Sequence, residues 1–67
     1  MLIGELAHRT GVSQRSLRYY EQQGLLSAER DVHGYRRYGS DSVRTVARIR
    51  ALLAMGLSTD VIRGVLP

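Results

Sequence analysis

The side chains best suited to chemistry here are the cations, and all of them are arginine: Arg9, Arg15, Arg18, Arg30, Arg36, Arg37, Arg44, Arg48, Arg50 and Arg63. Against six acidic residues they leave a net charge of +4 and a pI near 10.4. A guanidinium presents a planar fork of donors that matches phosphate oxygens and guanine edges, which an ammonium does not. A GC-rich genome would also favour arginine codons, so the absence of lysine has a second explanation. The net positive charge still points to an acidic partner, above all nucleic acid. Enzyme chemistry finds no support. There is no cysteine, no Gly-rich phosphate loop and no plausible triad. Glu5, Glu21, Glu29, Asp31, Asp41 and Asp60 are scattered among arginines and read as their surface partners. His8 and His33 lie too far apart for metal-ligand spacing, so neither a metal nor a cofactor is expected.

These cations must be positioned by a very small fold. The 67 residues make one domain, which must place most of its Leu, Ile and Val in a single core. No apolar run approaches the roughly 20 residues of a membrane span. No secretory leader pattern is visible. The expectation is a soluble, cytoplasmic protein without a membrane partner.

Ile3, Leu6, Ala7 and Thr10 recur at helical spacing and predict a first helix over about Ile3–Arg9, stopped by Gly11. Ser13 then caps a second helix, about Gln14–Gln23, stopped by Gly24. Two short helices joined by three or four residues must cross steeply, which is the helix-turn-helix arrangement. The second helix has two distinct faces: Leu17 and Tyr20 on one, Arg15, Arg18, Tyr19 and Gln22 on the other. The outer set can reach phosphates and base edges in a major groove.

Leu25-Leu26 should tuck under the core. Residues 30–38 read as a hairpin, with Gly34 supplying the positive φ of its turn. A basic ribbon beside a helix-turn-helix reads as a wing along DNA backbone. A third helix is expected over about Ser40–Met55, capped by Gly39 or Ser40, with Val43, Val46, Ala47, Leu53 and Ala54 inward. Arg50 falls within that stripe, so its stem should pack while its head reaches a carboxylate or the chain's edge. Arg44 and Arg48 lie on the solvated face. Ser58 caps a fourth helix whose apolar set is Val61, Ile62, Val65 and Leu66. The fold class is mainly α: a winged helix-turn-helix of about four helices plus a two-stranded β-hairpin wing.

Several runs resemble the MerR family of bacterial transcription regulators. They are Ile3-Gly4-Glu5-Leu6-Ala7, Thr10-Gly11-Val12-Ser13, Leu17-Arg18-Tyr19-Tyr20-Glu21, Gly24-Leu25-Leu26 and the wing run Gly34-Tyr35-Arg36-Arg37-Tyr38. Ile49-Arg50-Ala51-Leu52, then Met55-Gly56-Leu57-Ser58 and Ile62, are similar to that family's third and fourth helices. The resemblance implies a helix-turn-helix over about 3–23, a wing over about 29–38 and helices over about 40–66. It implies that Gln14 and Arg15 face bases, that Arg18 and Tyr19 grip phosphates or sugar, and that Tyr20 packs inward. Arg36 and Tyr38 would hold the flanking backbone, with Arg37 at the family's variable wing position. The full set of expected DNA contacts is Ser13, Gln14, Arg15, Arg18, Tyr19, Gln22, Tyr35, Arg36, Arg37 and Tyr38.

The implied partners are double-stranded DNA with a pseudo-palindromic promoter, a second copy in a homodimer of the full-length protein, and RNA polymerase indirectly through distorted DNA. Leu2 replaces the family's usual Ser or Thr before Ile-Gly, so the first helix is expected to fray. Gly39 replaces the usual Ser after the wing tyrosine. The family's long dimerising helix and effector domain are not expected within these 67 residues. Two other readings fit the composition: a small architectural DNA-binding protein for recombination, and a module that binds an acidic protein partner.

Overall fold

The computed structural model describes residues 1–66. Its elements are α1 (Ile3–Thr10), α2 (Gln14–Gln22), β1 (Glu29–Arg30), β2 (Arg36–Arg37), α3 (Ser42–Ala54) and α4 (Thr59–Val65). Helix α1 packs against both α2 and α3, and α4 packs on α3. The strands pair antiparallel, with Glu29 opposite Arg37 and Arg30 opposite Arg36. This is the expected winged helix-turn-helix.

The turn between α1 and α2 is fixed by its own polar groups. The Thr10 hydroxyl donates to Leu6 O (2.8 Å) and accepts from Val12 N–H (3.2 Å). Ser13 Oγ accepts from Ser16 N–H at 3.1 Å, satisfying one of the free donors that open every helix. Val12 is thereby drawn into the core with Leu6, Leu17, Tyr20, Leu25 and Leu26. The buried Leu25-Leu26 pair closes the base of the domain as expected.

Helix α1 does not depend on a side-chain cap. Leu2 occupies the cap position without one, but Met1 and Tyr38 exchange two backbone bonds, each 2.7 Å. The segment before α1 is pinned to the base of the wing, which offsets the missing cap.

Helix α3 starts later than the sequence implies. Asp41 is its N-cap and makes no side-chain cap bond, so neither Gly39 nor Ser40 caps it. Its inward face centres on Val46 and Ile49, both fully buried, while Ala47 and Ala54 are exposed. That shift moves Arg50 to the edge of the interface. Its Nη1 donates to Thr10 O at 3.4 Å, meeting the carbonyl end of α1 rather than a carboxylate. In α4 only Ile62 is buried; Val61 and Val65 are about half exposed. No helix among the described residues is long and apolar enough to cross a membrane.

Candidate nucleic-acid interface

Leu17 and Tyr20 anchor α2 from below, so the opposite face of the helix is presented outward. Gln14, Arg15, Arg18, Tyr19 and Gln22 are all exposed there. Arg18 is steadied by Gln14 Oε1 at 3.4 Å. Among the described residues Arg15 has neither an ion pair nor a side-chain hydrogen bond. Ser13 is exposed too, but its hydroxyl is engaged at the helix cap, accepting from Ser16 N–H and donating to Ser16 Oγ.

The wing is organised by one carboxylate. Asp31 Oδ1 accepts from His33 N–H (2.9 Å) and Tyr35 N–H (3.1 Å), and Asp31 Oδ2 pairs with Arg37 Nε (2.9 Å). Gly34, at φ 81°, closes the turn, and its carbonyl accepts from Arg30 Nη1 at 2.8 Å. The hydrogen bond from Arg37, reinforced by those from the His33 and Tyr35 amides, holds the Asp31 carboxyl below its ordinary value of 3.8. A depressed folded pKa adds order that is present above the unfolded value and lost as pH falls through the folded one. The His33 and Tyr35 amides should therefore lose protection from exchange as pH drops below about 4, and Asp31→Asn should remove this pH dependence. A pH-independent wing in the native chain would refute the role given to Asp31.

Strand pairing sorts the wing arginines. Arg30 and Arg36 are directly opposite and share one face; Glu29 and Arg37 share the other. Arg36 faces α2. With Arg18, Glu21 and Gln22 it lines a cleft of about 230 Å³ between helix and wing. Two like charges directly across a ribbon repel, and here each is offset by an acceptor, Arg36 by Glu21 Oε2 (3.2 Å) and Arg30 by Gly34 O (2.8 Å). Arg37 instead looks toward the N-terminal end of α3, in a hollow shared with Glu29, Asp41 and Ser42. The structure thus brings Arg36 to the face of α2 and leaves Arg37 behind it.

Tyr38 requires a correction. Its position in the wing motif implies a hold on flanking DNA backbone, yet the side chain is 2% exposed and belongs to the core. Its hydroxyl donates to Glu21 Oε1 at 2.7 Å, while Glu21 Oε2 pairs with Arg36 Nε at 3.2 Å. Tyr35, at 63% exposed, is the tyrosine left free on the wing. Burial, and then the bond to Glu21, pushes the Tyr38 hydroxyl up to about 12. The neutral phenol is what the fold accommodates, so its contribution is complete below about pH 10 and is lost as pH rises toward 12.

Two residues of the site have roles that go beyond a reading by residue type. Glu21 is the arginine partner its type suggests, pairing with Arg36, but by also accepting from the Tyr38 hydroxyl it becomes the strut between α2 and the wing. Arg30 lies directly across from Arg36 on the same face of the ribbon, which the two-residue alternation of a ribbon around Gly34 could have indicated.

A family model described as the MerR HTH family of regulatory proteins matches residues 1–67. The chain belongs to the MerR family. The nodulation protein NolA of Bradyrhizobium elkanii is 52% identical over 62 residues, covering 91% of this chain and 28% of NolA. The HTH-type transcriptional regulator HmrR of Sinorhizobium medicae is 43% identical over 67 residues, covering 98% of this chain and 46% of HmrR. A putative MerR family transcriptional regulator from Listeria monocytogenes has a TM-score of 0.86 and 31% identity over 96% of this chain and 49% of its own. HiNmlR, a MerR family regulator lacking the sensor domain and solved bound to promoter DNA, has a TM-score of 0.83 and 28% identity over 92% of this chain and 50% of its own. This MerR-family domain spans about a quarter to a half of the curated relatives it matches. The likeness extends through α3 and α4, so the wing and both flanking helix pairs belong to the shared fold.

Proposed function

We propose that this MerR-family domain binds double-stranded DNA sequence-specifically, with α2 in the major groove and the wing on the flanking backbone. The observation that carries this reading is the continuity of one exposed surface, from Arg15, Arg18, Tyr19 and Gln22 on α2 to Arg36 on the wing. Within it, Gln14 and Arg15 read base edges, Arg18 and Tyr19 hold phosphate or sugar, and Tyr35, Arg30 and Arg36 extend the hold along the backbone. Ser13 sets the start of α2 and can add its hydroxyl to a phosphate. In the context of a longer regulator, two copies bind the half-sites of a pseudo-palindromic promoter about 34 Å apart. RNA polymerase responds through the distortion of that DNA. Such a regulator acts in the bacterial cytoplasm, on the nucleoid.

The test is a fluorescence-anisotropy titration against the duplex that this chain enriches from a randomised library, and against its scrambled counterpart. A single domain neutralising roughly four phosphates should show a log–log salt slope near about −3.6, and should bind weakly. Sub-micromolar specific binding by a proven monomer at physiological salt would contradict the need for two copies. No binding to either duplex at low salt would remove the DNA reading and favour an acidic protein partner.

A further inference from the structure

We infer that Arg63 of α4 is a positioning residue for the recognition helix α2, fixing its C-terminal end from outside the helix-turn-helix and the wing. The inference rests on the DNA-reading role proposed above.

Helix α2 ends in a tight reversal. Gly24 N–H bonds Glu21 O at 3.0 Å and Leu25 N–H bonds Tyr20 O at 2.9 Å, which satisfies two of the carbonyls that any helix leaves open at its end. The carbonyl of the cap residue, Gln23, is taken by a distant side chain. Arg63 Nε donates to Gln23 O at 2.6 Å. The rest of the Gln23 residue is held from α4 as well: its Oε1 accepts from Arg63 Nη2 and from Thr59 Oγ1, each at 3.4 Å. Asp60 Oδ1 aims the guanidinium by accepting from Nη1 at 2.9 Å.

Three features make this a purposeful contact. The partners are 40 residues apart in the chain. A cation is delivered to the negative end of the α2 dipole, where it is favoured. All three guanidinium nitrogens are engaged, Nε on Gln23 O, Nη2 on Gln23 Oε1 and Nη1 on Asp60 Oδ1. Gln22, on the proposed DNA face, immediately precedes the held residue. Glu21 ties the same last turn to the wing. The C-terminal turn of α2 is therefore set by two independent struts, and the one from α4 is the path by which a displacement of α4 would reach the base-reading surface.

The test compares Arg63→Lys, which keeps the charge and loses the fork, with Arg63→Met, which loses both. Two quantities are read: amide exchange at Gln23, Gly24 and Leu25 in the free protein, and the affinity ratio between enriched and scrambled duplexes. Both variants should exchange about tenfold faster at these amides and lose about fivefold to tenfold in the ratio. A lysine variant matching the native chain in both readouts would overturn the inference, because charge alone would then suffice. Faster exchange with an unchanged ratio would overturn it too, leaving Arg63 a stabilising contact only. A native chain that binds both duplexes equally would overturn it while leaving DNA binding intact. A native chain that binds neither would overturn the DNA reading itself, and the positioning role with it.

Discussion

Tyr38→Ala is expected to destabilise the domain by about 3–5 kcal/mol. Its ring is in the core, and truncating a buried aromatic costs about 3–5 kcal/mol. A chain of this length has roughly 3–10 kcal/mol of total stability, taking about 0.05–0.15 kcal/mol per residue. The loss is therefore at least about a third of the fold's stability and at most all of it. Tyr38→Phe keeps the packing and removes only the hydroxyl. It should cost about 1–3 kcal/mol, because the half-buried Glu21 carboxylate loses its donor. Urea unfolding followed by circular dichroism separates the two. Were Tyr38→Ala to stay folded within about 1 kcal/mol of the native chain while DNA binding collapsed, the tyrosine would be a DNA contact after all.

Arg15→Ala should have the largest effect on sequence reading and almost none on folding. Among the described residues its side chain makes no ion pair or hydrogen bond, so its removal should alter stability by no more than about 0.5 kcal/mol. A bidentate contact to a base edge is worth about 1–3 kcal/mol of discrimination. That corresponds to a loss of roughly 5- to 150-fold against the enriched duplex, with little change against a scrambled one. Arg18→Ala and Arg36→Ala should weaken both duplexes alike and lower the salt slope by about 1 each, the mark of a phosphate contact. Equal losses on both duplexes for Arg15→Ala would show that it clamps phosphate and reads nothing.

Much of this architecture was legible from residue types and spacing. The Ser13 cap, the split faces of α2, the Gly34 turn and the burial of Leu25 and Leu26 all follow from local rules that tertiary packing did not override. The misread and missed roles share a cause. Tyr38, Arg37 and Glu21 owe their roles to partners that only the fold selects. One step of strand alternation turns Arg37 away from the face of Arg36. Glu21 becomes a strut only because the wing returns to the end of α2. The start and inward face of α3 shifted for a similar reason. Three polar or small residues, Gly39, Ser40 and Asp41, compete for its cap, and Ile49 rather than Ala47 completes its buried stripe. Local periodicity tolerates either choice, whereas the one buried cluster of this small fold takes in Ile49 and leaves Ala47 out.

The paired backbone bonds between Met1 and Tyr38 join residues 37 apart. Helices α1 and α2 and the turn between them close through contacts only a few residues apart, whereas anchoring the wing means drawing together the ends of a long loop. The entropy of that closure is about 3 kcal/mol, and it is recovered only when Tyr38 is already in the core. The wing cannot open without drawing Tyr38 out of the core, so ribbon and helices form one cooperative unit. The ribbon therefore keeps a fixed station beside α2, and the distance between the two is set by the same packing that holds the domain together.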